Sequence, residues 1–209
     1  MYKKILLLSL FLLSSVVGAS PREIIIVRHG DKLVGPTKSH DYTGRYLSAK
    51  GQVRAEKLAV YYMAHFPKPD FIFATKPADS KAAHESTSYR PLQTVMPLAN
   101  LLTAQGGGDV IIHTPYYEKD YGKLASHLLM DKKYDQQFIL ICWQHERINL
   151  MAQALGVTEN LPKWQGKDYD QVYILKYDAK GKLRSFQILK NQYPVNGDPA
   201  WEQLAKISL

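Results

Sequence analysis

The chain has 209 residues, with 27 Lys and Arg against 19 Asp and Glu, a formal charge of +8 and a single cysteine, Cys142. At 45% hydrophobic and 22% charged residues it has ordinary globular composition, which excludes disordered, collagen-like and coiled-coil architectures. One cysteine builds neither an internal disulfide nor a cysteine-based structural zinc site.

Residues 1–19 read MYKKILLLSLFLLSSVVGA, in which Lys3 and Lys4 precede an apolar run from Ile5 to Leu13 and small residues close the segment at Val17-Gly18-Ala19. This is a secretory signal pattern, its apolar run shorter than the ~20 residues that span a bilayer. Cleavage after Ala19 is expected, leaving residues 20–209 as one domain, periplasmic or secreted, with no stable membrane insertion. Without Lys3 and Lys4 the count falls to 25 basic against 19 acidic residues, a charge of +6.

The β-branched run Glu23 to Val27 suits a strand buried on both faces of a parallel sheet. After a polar stretch to Tyr46, Ser48 precedes a helical pattern with Val53, Leu58, Val60, Tyr61 and Met63 available for an inner face, stopped by Pro67 and Pro69. Phe71 to Ala74 reads as a second buried strand. A helix carrying Leu92, Val95, Leu98, Leu101 and Leu102 follows, with Pro91 and Pro97 restricting it and Gly106-Gly107-Gly108 ending it. Val110 to His113 (strand), Tyr121 to Met130 (helix), Phe138 to Trp143 (strand) and about Arg147 to Leu155 (helix) repeat the alternation. Gln171 to Tyr177 and Arg184 to Leu189, joined across Asp178-Ala179-Lys180-Gly181, read as a hairpin. The expected fold is three-layer α/β, a mostly parallel central sheet with helices on both faces and an antiparallel C-terminal hairpin at its edge.

Ligands of open α/β sheets gather beyond the carboxyl ends of strands. Arg28-His29-Gly30 and Gln144-His145-Glu146 fall there. In the setting IIIVRHGDK, the first resembles the signature of the histidine phosphatase superfamily, the phosphoglycerate-mutase-like fold. LSAKGQVRAEKLA at 47–59, STSYRPLQTVMPLA at 86–99 and ICWQHERINLMAQALG at 141–156 follow in the order that the resemblance requires, so that it runs over most of residues 23–156.

A histidine nucleophile needs a neutral imidazole whose second nitrogen is held by a hydrogen bond. Guanidinium groups beside it disfavour its protonation and hold phosphoryl oxygens. The resemblance implies that His29 is the phosphorylated nucleophile, with Arg28, Arg90 and His145 forming the phosphate pocket. Gly30 would admit the backbone close to the ligand, and Lys32 would add a phosphate contact. The leaving group needs a proton. Glu146, directly after the second histidine, is slightly favoured over Glu118, which lies between Arg90 and His145, and Asp31 is a third candidate.

The expected activity is an exported, metal-independent phosphomonoester hydrolase without cofactor, acting on a small phosphorylated substrate. A non-catalytic phospholigand-binding protein is the alternative, with a phosphoglycerate-mutase-type phosphotransferase less favoured. No metal site is expected, because no ligand spacing such as His-Glu-x-x-His occurs and the arginines would oppose a cation. Basic residues are scattered, without the strip or basic helix of a nucleic-acid binder. His40, His65, His84, His113 and His127 match no motif and read as structural or exposed, Cys142 as core, and Trp143 as core or pocket wall. Loops 31–46 and 75–88 are candidate pocket rims, with Lys38, His40, Arg45, Lys76, Lys81 and His84 either receiving an anion or simply solvated.

Overall fold

The computed structural model describes residues 20–33, 44–78, 88–106 and 108–198. The expected signal segment, and Lys38, His40, Lys81 and His84, lie outside the described residues.

A six-stranded sheet organises the chain, with strand order β3-β2-β4-β1-β5-β6. Its strands are β1 (Glu23–Arg28), β2 (Phe71–Ala74), β3 (Ile112–His113), β4 (Phe138–Trp143), β5 (Val172–Tyr177) and β6 (Leu183–Leu189). The first four run parallel, as crossover helices between successive strands require. β5 pairs antiparallel with β1, and β6 antiparallel with β5 at the edge. The hairpin turn is fixed by the Asp178 carboxylate, which accepts from the N–H groups of Lys180 and Lys182 at 2.9 Å each.

Helices cover both faces: α1 (Ala49–His65) and α2 (Arg90–Ala104) on one, α3 (Tyr121–Met130) and α4 (His145–Ala154) on the other. The period-two alternation of a strand divides β1 between two cores. Ile25 and Val27 meet Leu58, Tyr62, Val95 and Leu98 of α1 and α2. Ile24 and Ile26 face the core of Leu124, Leu128, Ile148 and Met151 from α3 and α4. Every β1 side chain is buried, as its unbroken apolar run predicts. No helix among the described residues is long and apolar enough to cross a membrane.

The inner face of α1 differs from expectation. Val53 and Val60 are exposed, at 46% and 66%, while the buried stripe is Gly51, Arg54, Ala55, Leu58, Ala59 and Tyr62. Helical spacing puts positions 51, 54, 55, 58, 59 and 62 on one face whatever their polarity, and the arginine at 54 disguised that face. Leu101 is also turned outward. β3 keeps only the last two residues of its expected span, and α4 starts two residues early, at His145. Beyond β6 the chain returns across α1, where Tyr61 Oη donates to Gln192 Oε1 (2.7 Å) and Lys57 Nζ to the Pro194 carbonyl (2.8 Å).

Candidate active site

β1 and β4 are neighbours in register, Arg28 opposite Trp143, so both motif segments leave the sheet at the same edge. The His29 N–H donates to the Trp143 carbonyl (3.2 Å), and His145 opens α4 two residues later. α2 brings Arg90, its first residue, to the same place.

His29 is buried, and its Nδ1 lies 2.8 Å from the Gly30 carbonyl. A carbonyl only accepts, so Nδ1 carries the proton and Nε2 keeps its lone pair. Burial above all, then the charges of Arg90 and Arg28 and the neighbouring His145, hold this imidazole well below its ordinary pKa. Arg90 Nη1 stands 3.4 Å from Nδ1. The Arg90 guanidinium is held in turn by Ser88, whose Oγ accepts from its Nε at 2.9 Å.

Arg28 is buried and spends one nitrogen on the chain itself. Its Nη1 donates to the carbonyls of Gln165, Gly166 and Asp168 at 3.2, 2.8 and 3.0 Å, while its guanidinium lies 3.8 Å from the centre of the Tyr169 ring. Its buried Nε has no partner among the described residues. Burial, with a contribution from Arg90, draws its pKa down to about 10. His145 Nδ1 is likewise buried without a partner among the described residues, and burial with the charges of Arg28 and Arg90 lowers that imidazole to about 4. Buried polar nitrogens without partners are costly, and together with the guanidinium groups they can take up a ligand rich in acceptor oxygens.

The two candidate acids are placed differently. Glu146, in the first turn of α4, is exposed. Glu118 opens a short 3-10 turn before α3; its side chain is only 12% exposed, with Oε1 3.6 Å from Arg147 Nε, and its charge reaches Arg90. Trp143 belongs to the core, its Nε1 donating to the Glu118 carbonyl (3.0 Å) and thereby tying that turn to β4. Lys32 is exposed, its backbone bridged to Leu47, and it does not join the buried cluster. Arg45 and Lys76 lie over the rings of Tyr89 and Tyr117, at 5.5 and 5.0 Å.

Gly30 is needed for a different reason from the one its motif suggests. Its N–H donates to Thr94 Oγ1 of α2 (2.9 Å), and a Cβ there would sit 2.8 Å from the Gly51 carbonyl. The glycine lets α1 approach, and its N–H is not left for a ligand. Asp31 is not an acid facing the cluster either, since Arg54 takes both of its carboxylate oxygens, at 2.6 and 3.3 Å. The sequence reading missed Arg54 and Tyr169. A charged residue at the same helical spacing as Gly51, Ala55 and Leu58 was the available signal for the first; Tyr169, in an irregular polar stretch, offered none.

No protein-family model matches the sequence, and no curated protein matches it. Among solved structures, the protein histidine phosphatase SixA in complex with tungstate is similar, at TM-score 0.51 and 15% identity over 80% of this chain and 96% of that one. A candidate phosphohistidine phosphatase SixA from Agrobacterium tumefaciens has TM-score 0.47 and 16% identity, over 79% of this chain and 97% of that one. A candidate alpha-ribazole-5'-P phosphatase from Escherichia coli K-12 has TM-score 0.49 and 12% identity, over 84% and 99%. The chain shares the fold of the histidine phosphatases, the phosphoglycerate-mutase-like fold.

Proposed function

We propose that the protein is a metal-independent phosphomonoester hydrolase, exported after loss of residues 1–19, that works through a phosphohistidine on His29. The observation that carries this reading is a buried, neutral imidazole whose Nδ1 faces the Gly30 carbonyl, set with the guanidinium of Arg90 and with Arg28 Nε and His145 Nδ1, which have no partner among the described residues. A tetrahedral oxyanion supplies the acceptors this cluster lacks. The tungstate bound by the SixA structure is such an ion and supports the same reading.

In the first step His29 Nε2 forms a bond to phosphorus as the bond from phosphorus to the leaving oxygen breaks. Arg28, Arg90 and His145 stabilise the charge on the three equatorial oxygens. The leaving oxygen takes a proton, and we assign the donor as Glu118, because its side chain is sheltered, within electrostatic reach of Arg90 in the pocket, while Glu146 faces solvent. In the second step water attacks phosphorus as the Glu118 carboxylate takes its proton, the P–N bond breaks, its electron pair returns to Nε2 and phosphate leaves.

The mature protein should hydrolyse p-nitrophenyl phosphate in the presence of EDTA, bind vanadate, and lose turnover in His29→Ala. Retention of activity in that variant would overturn the mechanism.

A further inference from the structure

We infer that Arg54 and Asp198 are positioning residues for His29: the C-terminal tail, acting through Arg54, holds the loop peptide whose carbonyl sets the tautomer of the imidazole. The inference rests on the phosphohistidine reading above.

Arg54 sits on the buried stripe of α1, where a lone guanidinium would be prohibitively costly. Two carboxylates clasp it. Asp31 accepts from Nε and Nη2 at 2.6 and 3.3 Å, and Asp198 from Nη1 and Nη2 at 2.7 and 3.0 Å. Residues 31 and 198 come from opposite ends of the described chain, the first directly after the Arg28-His29-Gly30 segment and the second in the tail. Asp198 is anchored independently by Lys50 Nζ (2.8 Å) and by the Val195 N–H (3.1 Å). Burial opposes ionisation of Asp198, but its bonds to Arg54, Lys50 and Val195 outweigh this and hold the carboxyl at about 2.

Asp31 is therefore gripped on two sides. Arg54 holds its carboxylate, while its carbonyl accepts from the Ser48 N–H (2.9 Å) and Oγ (3.3 Å) at the start of α1. Its backbone runs so close to α1 that a Cβ at Gly51 would fall 2.3 Å from the Asp31 carbonyl oxygen. The peptide joining Gly30 to Asp31 carries the carbonyl 2.8 Å from His29 Nδ1. Rotation of that peptide would remove the acceptor and release the proton to either ring nitrogen, and an Nε2–H imidazole has no lone pair to offer phosphorus. The tail thus reaches the nucleophile in four links: Asp198, Arg54, Asp31 and the Gly30 carbonyl. Tyr169 lies over both Arg54 and Arg28, at 5.3 and 3.8 Å, and joins this clasp to the pocket.

The test uses mature protein labelled with 15N-histidine, comparing wild type with Asp198→Ala and Arg54→Lys. Two-bond 1H–15N spectra, assigned by the signal lost in His29→Gln, report the His29 tautomer without requiring turnover. Wild type should show one Nδ1–H form. Asp198→Ala should show mixed tautomers, with kcat for p-nitrophenyl phosphate lower by roughly tenfold and KM within about twofold, the split expected of misorientation rather than lost binding. Arg54→Lys should not rescue, because an ammonium cannot bridge both carboxylates through a planar fork. Should Arg54→Lys fail to fold, Asp198→Ala decides alone, since it leaves the Arg54–Asp31 pair in place. A single Nδ1–H tautomer and wild-type kcat in folded Asp198→Ala would overturn the inference. If wild type shows no turnover at all, it is the phosphatase reading that fails, and the tautomer spectra still decide whether the clasp positions His29.

Discussion

The two faces of the sheet are both buried and differently made. Among the described residues, the buried positions of α3 and α4 are all apolar: Leu124, Ala125, Leu128, Ile148, Met151 and Ala152. Those of α1 and α2 include Arg54 and Thr94, and α2 begins at Arg90. Thr94 fixes the Gly30 N–H, Arg54 holds Asp31, and Arg90 stands against His29. One face is thus built for cohesion and the other for aim, although α4 crosses the division by lending His145 from its first turn. The difference shows where this chain accepts the cost of burying polar groups, namely on the side that orients the nucleophile.

That contrast can be broken or sharpened by substitution. The largest effect is expected on the polar side: Arg90→Ala should lower kcat/KM for p-nitrophenyl phosphate by roughly 10²–10³-fold, the cost of losing one donor to the transferring group, with little change in thermal midpoint. Glu118→Gln tests whether the apolar side takes part in chemistry, since its turn leads into α3. Hydrolysis of alkyl phosphates should fall by about 10²-fold while that of p-nitrophenyl phosphate, whose leaving group needs no proton, changes far less. If Glu146→Gln instead gives that pattern, the acid belongs to the first turn of α4. Leu124→Ala is the converse test, expected to cost about 2–5 kcal/mol in urea unfolding while the folded fraction keeps its kcat.

A pH series follows from the two buried imidazoles. His29 and His145 titrate below 6.5 when folded, His145 near 4, whereas unfolded-chain histidines take up protons at about 6.5. The unfolded state therefore binds more protons between these limits. Their contribution to stability is full above about 6.5 and is lost as pH falls toward 4. The nucleophile stays neutral to a pH well below 6.5, so the acidic limb of kcat/KM should lie below pH 6.5; a limb centred at 6.5 would mean an exposed histidine. The smallest effect is expected for Val60→Ser on the outer side of α1, within about 0.5 kcal/mol in thermal or urea unfolding.

Much of this was legible in the sequence, for reasons that differ by residue. The β-branched run at 23–27 and the apolar run at 138–143 announced central strands because burial on both faces leaves no polar alternation. Their shared carboxyl edge then placed His29 and His145 together. Hydrophobicity nominates Val53 and Val60 for the inner face of α1, whereas packing is set by spacing, and the buried stripe includes a charge whose partners lie 23 and 144 residues away. No local pattern reveals such pairs. The choice between Glu118 and Glu146 was illegible for a related reason: chain order does not say which carboxylate a turn shelters.

Cys142 acquires a use from its position. It lies in the middle of the sheet between β1 and β2, fully buried, and burial pushes its thiol far above the ordinary range despite Thr94 and the Arg90 charge. A thiol so placed reacts with neither oxidant nor alkylating agent until the central strands part. As the only sulfhydryl in the chain, it makes the rate of thiol labelling a clock for the opening of the sheet.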